Sequence, residues 1–348
     1  MDCRHLRTLT DDTGMIQFTT LDKPDPGSGY TTDDNARALL VALRLDGEER
    51  QRYARIYVDF LRHAQRPDGG WYNLKLYRQY VSTLDSEDSL GRAFLACSVA
   101  ATCDVEDVRC LSRQMALKAM PVVLRVKSPR SMAYTLIGMV NITGAFQQNR
   151  DLLIGAIAKF GQALIEFYNR NKNSSWRWFE DKLTYCNGIL PHALFAYYSF
   201  SGDKKALQVA QDSMRFLGDA LFKEGYLNIV GNRGWWLKGH EMPLYDQQPV
   251  DACSTALACA EGYRATGHKD FLEMTRLAHN WYWGKNINNI PLYNPETGGC
   301  YDALVPGGVN RNQGAEAILS LLLTRQAMME LGLDVGTYEK YREAREAV

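Results

Sequence analysis

The stretch Gly29–Leu43, GYTTDDNARALLVAL, sets two acids, Asp33 and Asp34, at the start of an apolar helical run. Thr31 and Thr32 before them read as an N-cap, and acids in a first turn are stabilised by the helix dipole. Capping alone accounts for the pair locally, so the fold is decided by what recurs. A loop rich in aromatic, acidic and amide residues leads into a helix rich in Ala, Leu, Gly and Ser, and a more charged helix follows. This arrangement occurs six times. The later first helices arise from STLDSEDSLGRAFLACSVAA, SPRSMAYTLIGMVNIT, WRWFEDKLTYCNGILPHALFAYYSF, YDQQPVDACSTALACAEGYRAT and GGVNRNQGAEAILSLLLTRQAMMEL. The markers Asp34, Asp88, Arg130, Asn187, Gln248 and Gln313 recur at intervals of roughly 40 to 65 residues, the length of a helical hairpin with one elaborated loop.

The second helices are amphipathic: in RQRYARIYVDFLRHA, Tyr53, Ile56, Phe60 and Leu61 recur at helical spacing between charged residues. The sixth second helix is expected over the short run 336–348. The first helices are apolar nearly all round, with small residues such as Ala96, Gly138 and Ala258, and must be buried on most sides. Six buried helices ringed by six half-buried ones make an all-α (α/α)6 barrel. Short β-hairpins are expected in the loops at GYLNIV (225–230) and in the region 289–304. No linker rich in Pro, Gly or Ser interrupts the chain, so residues 1–348 are expected to form one toroid domain.

Composition narrows the function. The chain has 348 residues, 46% hydrophobic and 23% charged, with 40 acids balancing 40 bases. A zero net charge without a basic block argues against nucleic acid or a membrane surface as partner. The eight cysteines form no C-x-x-C pair and no Cys/His cluster of zinc spacing, so no metal is expected. Reduced thiols and a start without an apolar signal core point to the cytoplasm. No cofactor is expected either: neither a phosphate-cradling Gly-rich loop nor a strand–G-x-G-x-x-G–helix unit occurs in context.

In such a barrel the inner helices run parallel, so their N-terminal ends and the six polar loops gather at one mouth. The pooled candidates for contact with a ligand are Tyr30, Asn35, Arg37, Arg130, Trp176, Trp178, Asn187, Trp235, Trp236, Gln247, Gln248, Asp251, Tyr301, Asp302, Asn312, Gln313 and Glu316. The acid/base candidates are Asp33, Asp34, Asp88, Glu180 and Asp181. Flat aromatic faces stack on sugar C–H faces, amides and arginines bond hydroxyls, and paired carboxylates cleave glycosidic bonds. The expected function is therefore hydrolysis of a short oligosaccharide, of mannose or glucose units, with carboxylates from units one and four flanking the bond. Two alternatives stand beside it. One is a non-catalytic glycan-binding module. The other is a sugar epimerase or isomerase, ranked last because that chemistry wants histidine bases and unit six offers none. His192 is the one histidine placed near the mouth.

The stretches TDDTGMIQF (10–18), GYTTDDNARALL, SPRSMAYTLIG, WRWFEDKLTYCNGILPHAL, QQPVDACSTA, GGCYDAL and NRNQGAEAILSLL resemble a family of bacterial proteins. Its members occur alone or as a C-terminal region of glycosyltransferases, often beside mannoside phosphorylases. More distantly the chain is similar to the six-hairpin glycosidases, and Asp33–Asp34 to the neighbouring aspartates of bacterial α-mannanases of that fold. The resemblance implies an (α/α)6 barrel and carbohydrate work, with glycosyltransferases or mannoside phosphorylases as pathway partners. Cys186 and Ala317 depart from the acid or Asn, and the Ser or Thr, expected at those positions.

Overall fold

A computed structural model describes residues 1–336. After a short leading helix α1 (Arg4–Leu9), helices alternate between an inner and an outer ring. The pairs are α2 (Thr32–Ala42) with α3 (Gly47–Ala64), α4 (Glu87–Ala100) with α5 (Glu106–Val123), and α6 (Pro129–Ile142) with α7 (Arg150–Asn171). They continue with α8 (Ile189–Ser201) and α9 (Lys204–Leu221), then α10 (Pro249–Thr266) and α11 (Asp270–Trp281), and end with α12 (Ala315–Glu330). Each even-numbered helix packs on the next, and α12 packs back on α2, which closes the ring. The fold is an (α/α)6 barrel. The helix expected over 336–348 lies, past Gly336, outside the described residues.

The local signals explain where the inner helices start. Thr31 caps α2 by accepting from the Asp34 amide at 3.1 Å. Ser86 and Ser89 form a capping box on α4. Proline occupies the first helical position of α6 and α10, where its missing N–H costs nothing. The inner helices approach closely because small residues face one another. At Gly188, just ahead of α8, a Cβ would stand 2.2 Å from the Ser254 carbonyl oxygen of α10, so only glycine permits the contact. Around these contacts the core is continuous, with Phe94, Phe160 and Phe195 fully buried. Cys97, Cys253 and Cys259 are buried within inner helices, as small apolar residues would be.

The loops at the mouth are tied together by short ladders. Tyr30–Thr31, Leu74–Leu76 and Gln79–Val81 form one antiparallel sheet. Lys182–Leu183 pairs with Trp236–Leu237, joining the loops of units four and five. Gln247 and Leu304 exchange backbone bonds of 3.0 and 2.9 Å, joining units five and six. One hairpin falls within the expected region, Tyr293–Asn294 with Gly299–Cys300, and a second, Ala303–Val305 with Gly308–Asn310, begins at its end and runs beyond it. The expected hairpin at 225–230 does not form. Leu227, Ile229 and Val230 are instead buried as irregular chain, so burial and not a strand ladder explains their apolar pattern.

Candidate active site

Four inner helices carry a charged side chain at the same place. Asp33, Asp88, Arg130 and Glu316 are each the second residue of their helix, on α2, α4, α6 and α12. Helix N-termini favour the acids there. Three of the four, the acids, line a cavity of about 680 Å³ at the mouth, together with Asp34, Arg37, Arg92, Asp246 and Asp302. Tyr185, Cys186, Trp235, Gln248 and Phe18 complete much of its wall.

Asp33 and Asp34 are adjacent in the chain but differently held. Arg92 of α4 donates to Asp33 Oδ1 at 2.9 Å, and the Asn73 amide donates to Oδ2 at 3.1 Å. Burial alone would push Asp33 up; the Arg92 and Arg37 charges and these hydrogen bonds outweigh it and hold the carboxyl below its ordinary value. Asp34 turns the other way. Its Oδ2 accepts from Thr31 Oγ1 at 2.6 Å and its Oδ1 from Arg37 at 3.1 Å. Burial pushes Asp34 up to about 6 in spite of Arg37, with the Glu316 charge adding to the effect.

Arg37 also donates to Glu316 Oε2 at 2.8 Å, so one guanidinium bridges α2 and α12. Asp302 accepts from the Gly314 amide through Oδ1 at 2.7 Å. Burial pushes Asp302 up to about 6, the Gly314 N–H opposing and Glu316 reinforcing the shift. Across the mouth, Asp88 accepts from Ser131 Oγ at 2.6 Å and from the Tyr185 hydroxyl at 2.6 Å. Arg92 stacks over the Tyr134 ring, 4.8 Å from its centroid.

Two wall residues have left-handed backbones without being glycine: Cys186 at φ 47° and Trp235 at φ 53°. Such conformations cost about 1–3 kcal/mol and persist where the surroundings enforce them. At Cys186 the enforcing group is Asp251 of α10, which accepts from its backbone N–H. Burial pushes Asp251 up to about 8. Trp235 stands beside Tyr185, ring centroids 6.1 Å apart and tilted by 50°.

The other candidates from the sequence take supporting places outside the cavity wall. Glu180 is bound by Arg130 at 2.6 Å instead of facing the mouth, and Arg130 stacks over Tyr185 and holds its carbonyl at 2.7 Å. Asn187 accepts from Arg130 and from the Thr184 amide, fixing the same turn. Asp181 is exposed, its carbonyl accepting from the Lys238 amide. Trp176 and Trp178 are buried among Phe179, Phe216 and Trp236, where aromatic packing claims them. Trp236 itself donates to the His240 carbonyl. Tyr30 donates to Asp11, and Asn35 accepts from the Met15 amide. Gln247 is buried against Asn228 and Trp281. Tyr301 packs against the core, Asn312 accepts from the Leu21 amide and Gln313 from Thr297. The sequence reading omitted Phe18, Asn73 and Asp246 from the candidates. Phe18 and Asn73 precede the polar clusters of units one and two, and only the folded loops bring them to the mouth.

No histidine lines the cavity. His192 lies on α8 beside Ile137, Asn141 and Glu261, at a separate surface depression. Among the described residues, no group of three or more His, Cys, Asp or Glu side chains could hold a metal ion, and no helix is long and apolar enough to cross a membrane.

The barrel superposes on several solved structures. A sugar epimerase from a ruminal bacterium superposes with a TM-score of 0.72 at 12% identity, covering 94% of this chain and 95% of that one. The cellulase Cel9M of C. cellulolyticum gives 0.60 at 8% identity, covering 92% and 88%. A GH76 α-mannanase of Bacteroides thetaiotaomicron gives 0.57 at 11% identity, covering 87% of each chain. At these identities the likeness is one of fold alone. No family profile matches the chain, and no curated protein matches it in sequence.

Proposed function

We propose that the protein is a glycoside hydrolase acting on a short oligosaccharide of mannose or glucose units. The observation that carries the reading is a set of cavity carboxyls driven in opposite directions. Asp33 is held as an anion, while Asp302 is pushed up to about 6. A carboxylate and a carboxylic acid in one cleft are the pair that glycosidic cleavage requires. Asp34 is shifted as far, but Arg37 and Thr31 occupy its oxygens. Asp302 has one oxygen on the Gly314 amide and the other without a hydrogen-bond partner among the described residues, so Asp302 is the proton donor.

Asp302 gives its proton to the glycosidic oxygen, and the C–O bond breaks with its electron pair on that oxygen. Asp33 either attacks the anomeric carbon, to be displaced by water, or takes the proton from a water that attacks directly. Water supplies the hydroxyl of one product and the proton that restores the enzyme. Arg37 and Arg92 balance the carboxylates, and Trp235 with Tyr185 offers aromatic faces to a pyranose ring.

Epimerisation is the second reading, favoured by the higher superposition score with the sugar epimerase. A cavity wall without an imidazole counts against it, since histidine is the commonest base for such proton transfer. Incubation with manno- and gluco-configured oligosaccharides separates the two. Hydrolysis creates reducing ends, and epimerisation leaves their number unchanged.

A further inference from the structure

We infer that Phe18 forms a stacking platform for the sugar on the leaving-group side, so the substrate is at least a disaccharide. This rests on Asp302 being the proton donor. A single exposed aromatic is ordinary on a protein surface. Phe18, 54% exposed, is distinguished by its placement and by how it is held. It lines the mouth cavity. Its amide donates to Ser28 Oγ at 3.0 Å, and its carbonyl accepts from the Asp25 amide at 3.0 Å. The ring is thus carried on a pinned backbone. Thr19 Oγ1 next to it accepts from the Gln313 amide at 2.8 Å, which fixes the segment to the start of α12.

Asp302 and the Phe18 segment share an anchor at the start of α12. The Gly314 amide donates to Asp302 Oδ1 at 2.7 Å, and the next amide, Ala315, donates to the Gln17 carbonyl at 3.0 Å. Two consecutive backbone N–H groups therefore anchor the proton donor and the residue before Phe18. A general acid must meet the oxygen that departs with the leaving group. An aromatic face that lines the same cavity and is anchored at the same turn as that acid meets the leaving group itself, and its chemistry suits the C–H face of a sugar ring. Trp235 and Tyr185, in the loops of units four and five, are left for the sugar that keeps the anomeric carbon.

The test compares wild type, Phe18→Ala and Phe18→Tyr by calorimetric binding and by turnover. The ligands are manno- and gluco-configured disaccharides, trisaccharides and monosaccharides, and the matching glycosyl fluorides, whose leaving group is too small to stack. Phe18→Ala is expected to lower the ratio of kcat/KM on disaccharide to kcat/KM on fluoride by about three- to tenfold, with KM carrying the change, and to weaken di- and trisaccharide binding by a similar factor. Phe18→Tyr restores both. An unchanged ratio with unchanged disaccharide affinity overturns the inference, as does a wild type that binds none of the saccharides. If wild type releases no reducing ends while Phe18→Ala still weakens disaccharide binding, hydrolysis is refuted and the leaving-group assignment with it, while stacking of a sugar on Phe18 is upheld.

Discussion

Asp33 and Asp34 are neighbours in the chain, yet Arg92 and Arg37 hold the first below its ordinary pKa while burial lifts the second to about 6. The divergence comes from which inner helix each side chain meets. Asp33 reaches forward to Arg92 on α4, and Asp34 is tied through Arg37 to Glu316 on α12. Ring closure thus gives two like residues unlike surroundings, and the first prediction concerns pH.

The reaction requires Asp302 protonated and Asp33 ionised. Activity should therefore fall as pH rises through about 6, where Asp302 loses its proton, and the optimum should lie on the acid side of neutrality. The acidic limb follows Asp33 and lies below the usual carboxylate range. A pH profile of kcat/KM checks both limbs. In Asp302→Asn the limb near 6 should vanish together with at least about a hundredfold of the rate.

Asp251 offers a stability test. Its carboxyl is raised to about 8 in the folded protein, so the stability it contributes is full below the unfolded carboxylate pKa and is lost as pH rises through about 8. Asp251→Asn retains an acceptor for the Cys186 N–H and removes the titration. The melting temperature of the variant, relative to wild type, should climb between about pH 4 and pH 8. A difference flat in pH would show that Asp251 ionises freely.

The tryptophans should divide by role. Trp235 lines the cavity, and Trp235→Ala should raise KM by about tenfold with little loss of stability. Trp178 is fully buried, and Trp178→Ala should cost about 3–5 kcal/mol in denaturant unfolding. Equal effects of the two on stability would contradict their separation.

Arg130 is a positioning residue. It joins Glu180 to the Tyr185–Cys186 turn from a nearly buried site. Arg130→Met should leave Glu180 unpaired and destabilise the fold by about 3–5 kcal/mol. Glu180→Gln, which keeps an acceptor for Arg130, should retain most activity, and a Glu180→Gln enzyme with no turnover would return Glu180 to the acid/base pair.

The ring was legible in the sequence because the same cluster-then-helix form recurs and because Ala, Gly and Ser mark helices buried on all sides. The start of the first inner helix was legible as well: Thr31 caps where its loop ends. Which polar side chains face the cavity was less so. WRWFED reads as a ligand-facing loop, but Trp176 and Trp178 turn into the aromatic core and Glu180 onto Arg130, a partner about fifty residues away in sequence. Phe18 was overlooked because its contact with unit six runs through the Gln17–Ala315 bond, between opposite ends of the described chain.

The most direct test counts reducing ends released from manno- and gluco-oligosaccharides by wild type, Asp33→Asn and Asp302→Asn, each verified as folded by its melting curve. The account predicts new reducing ends with wild type and a loss of at least about a hundredfold in each variant. Conversion of the sugar at a constant number of reducing ends, or full activity in both variants, would contradict it.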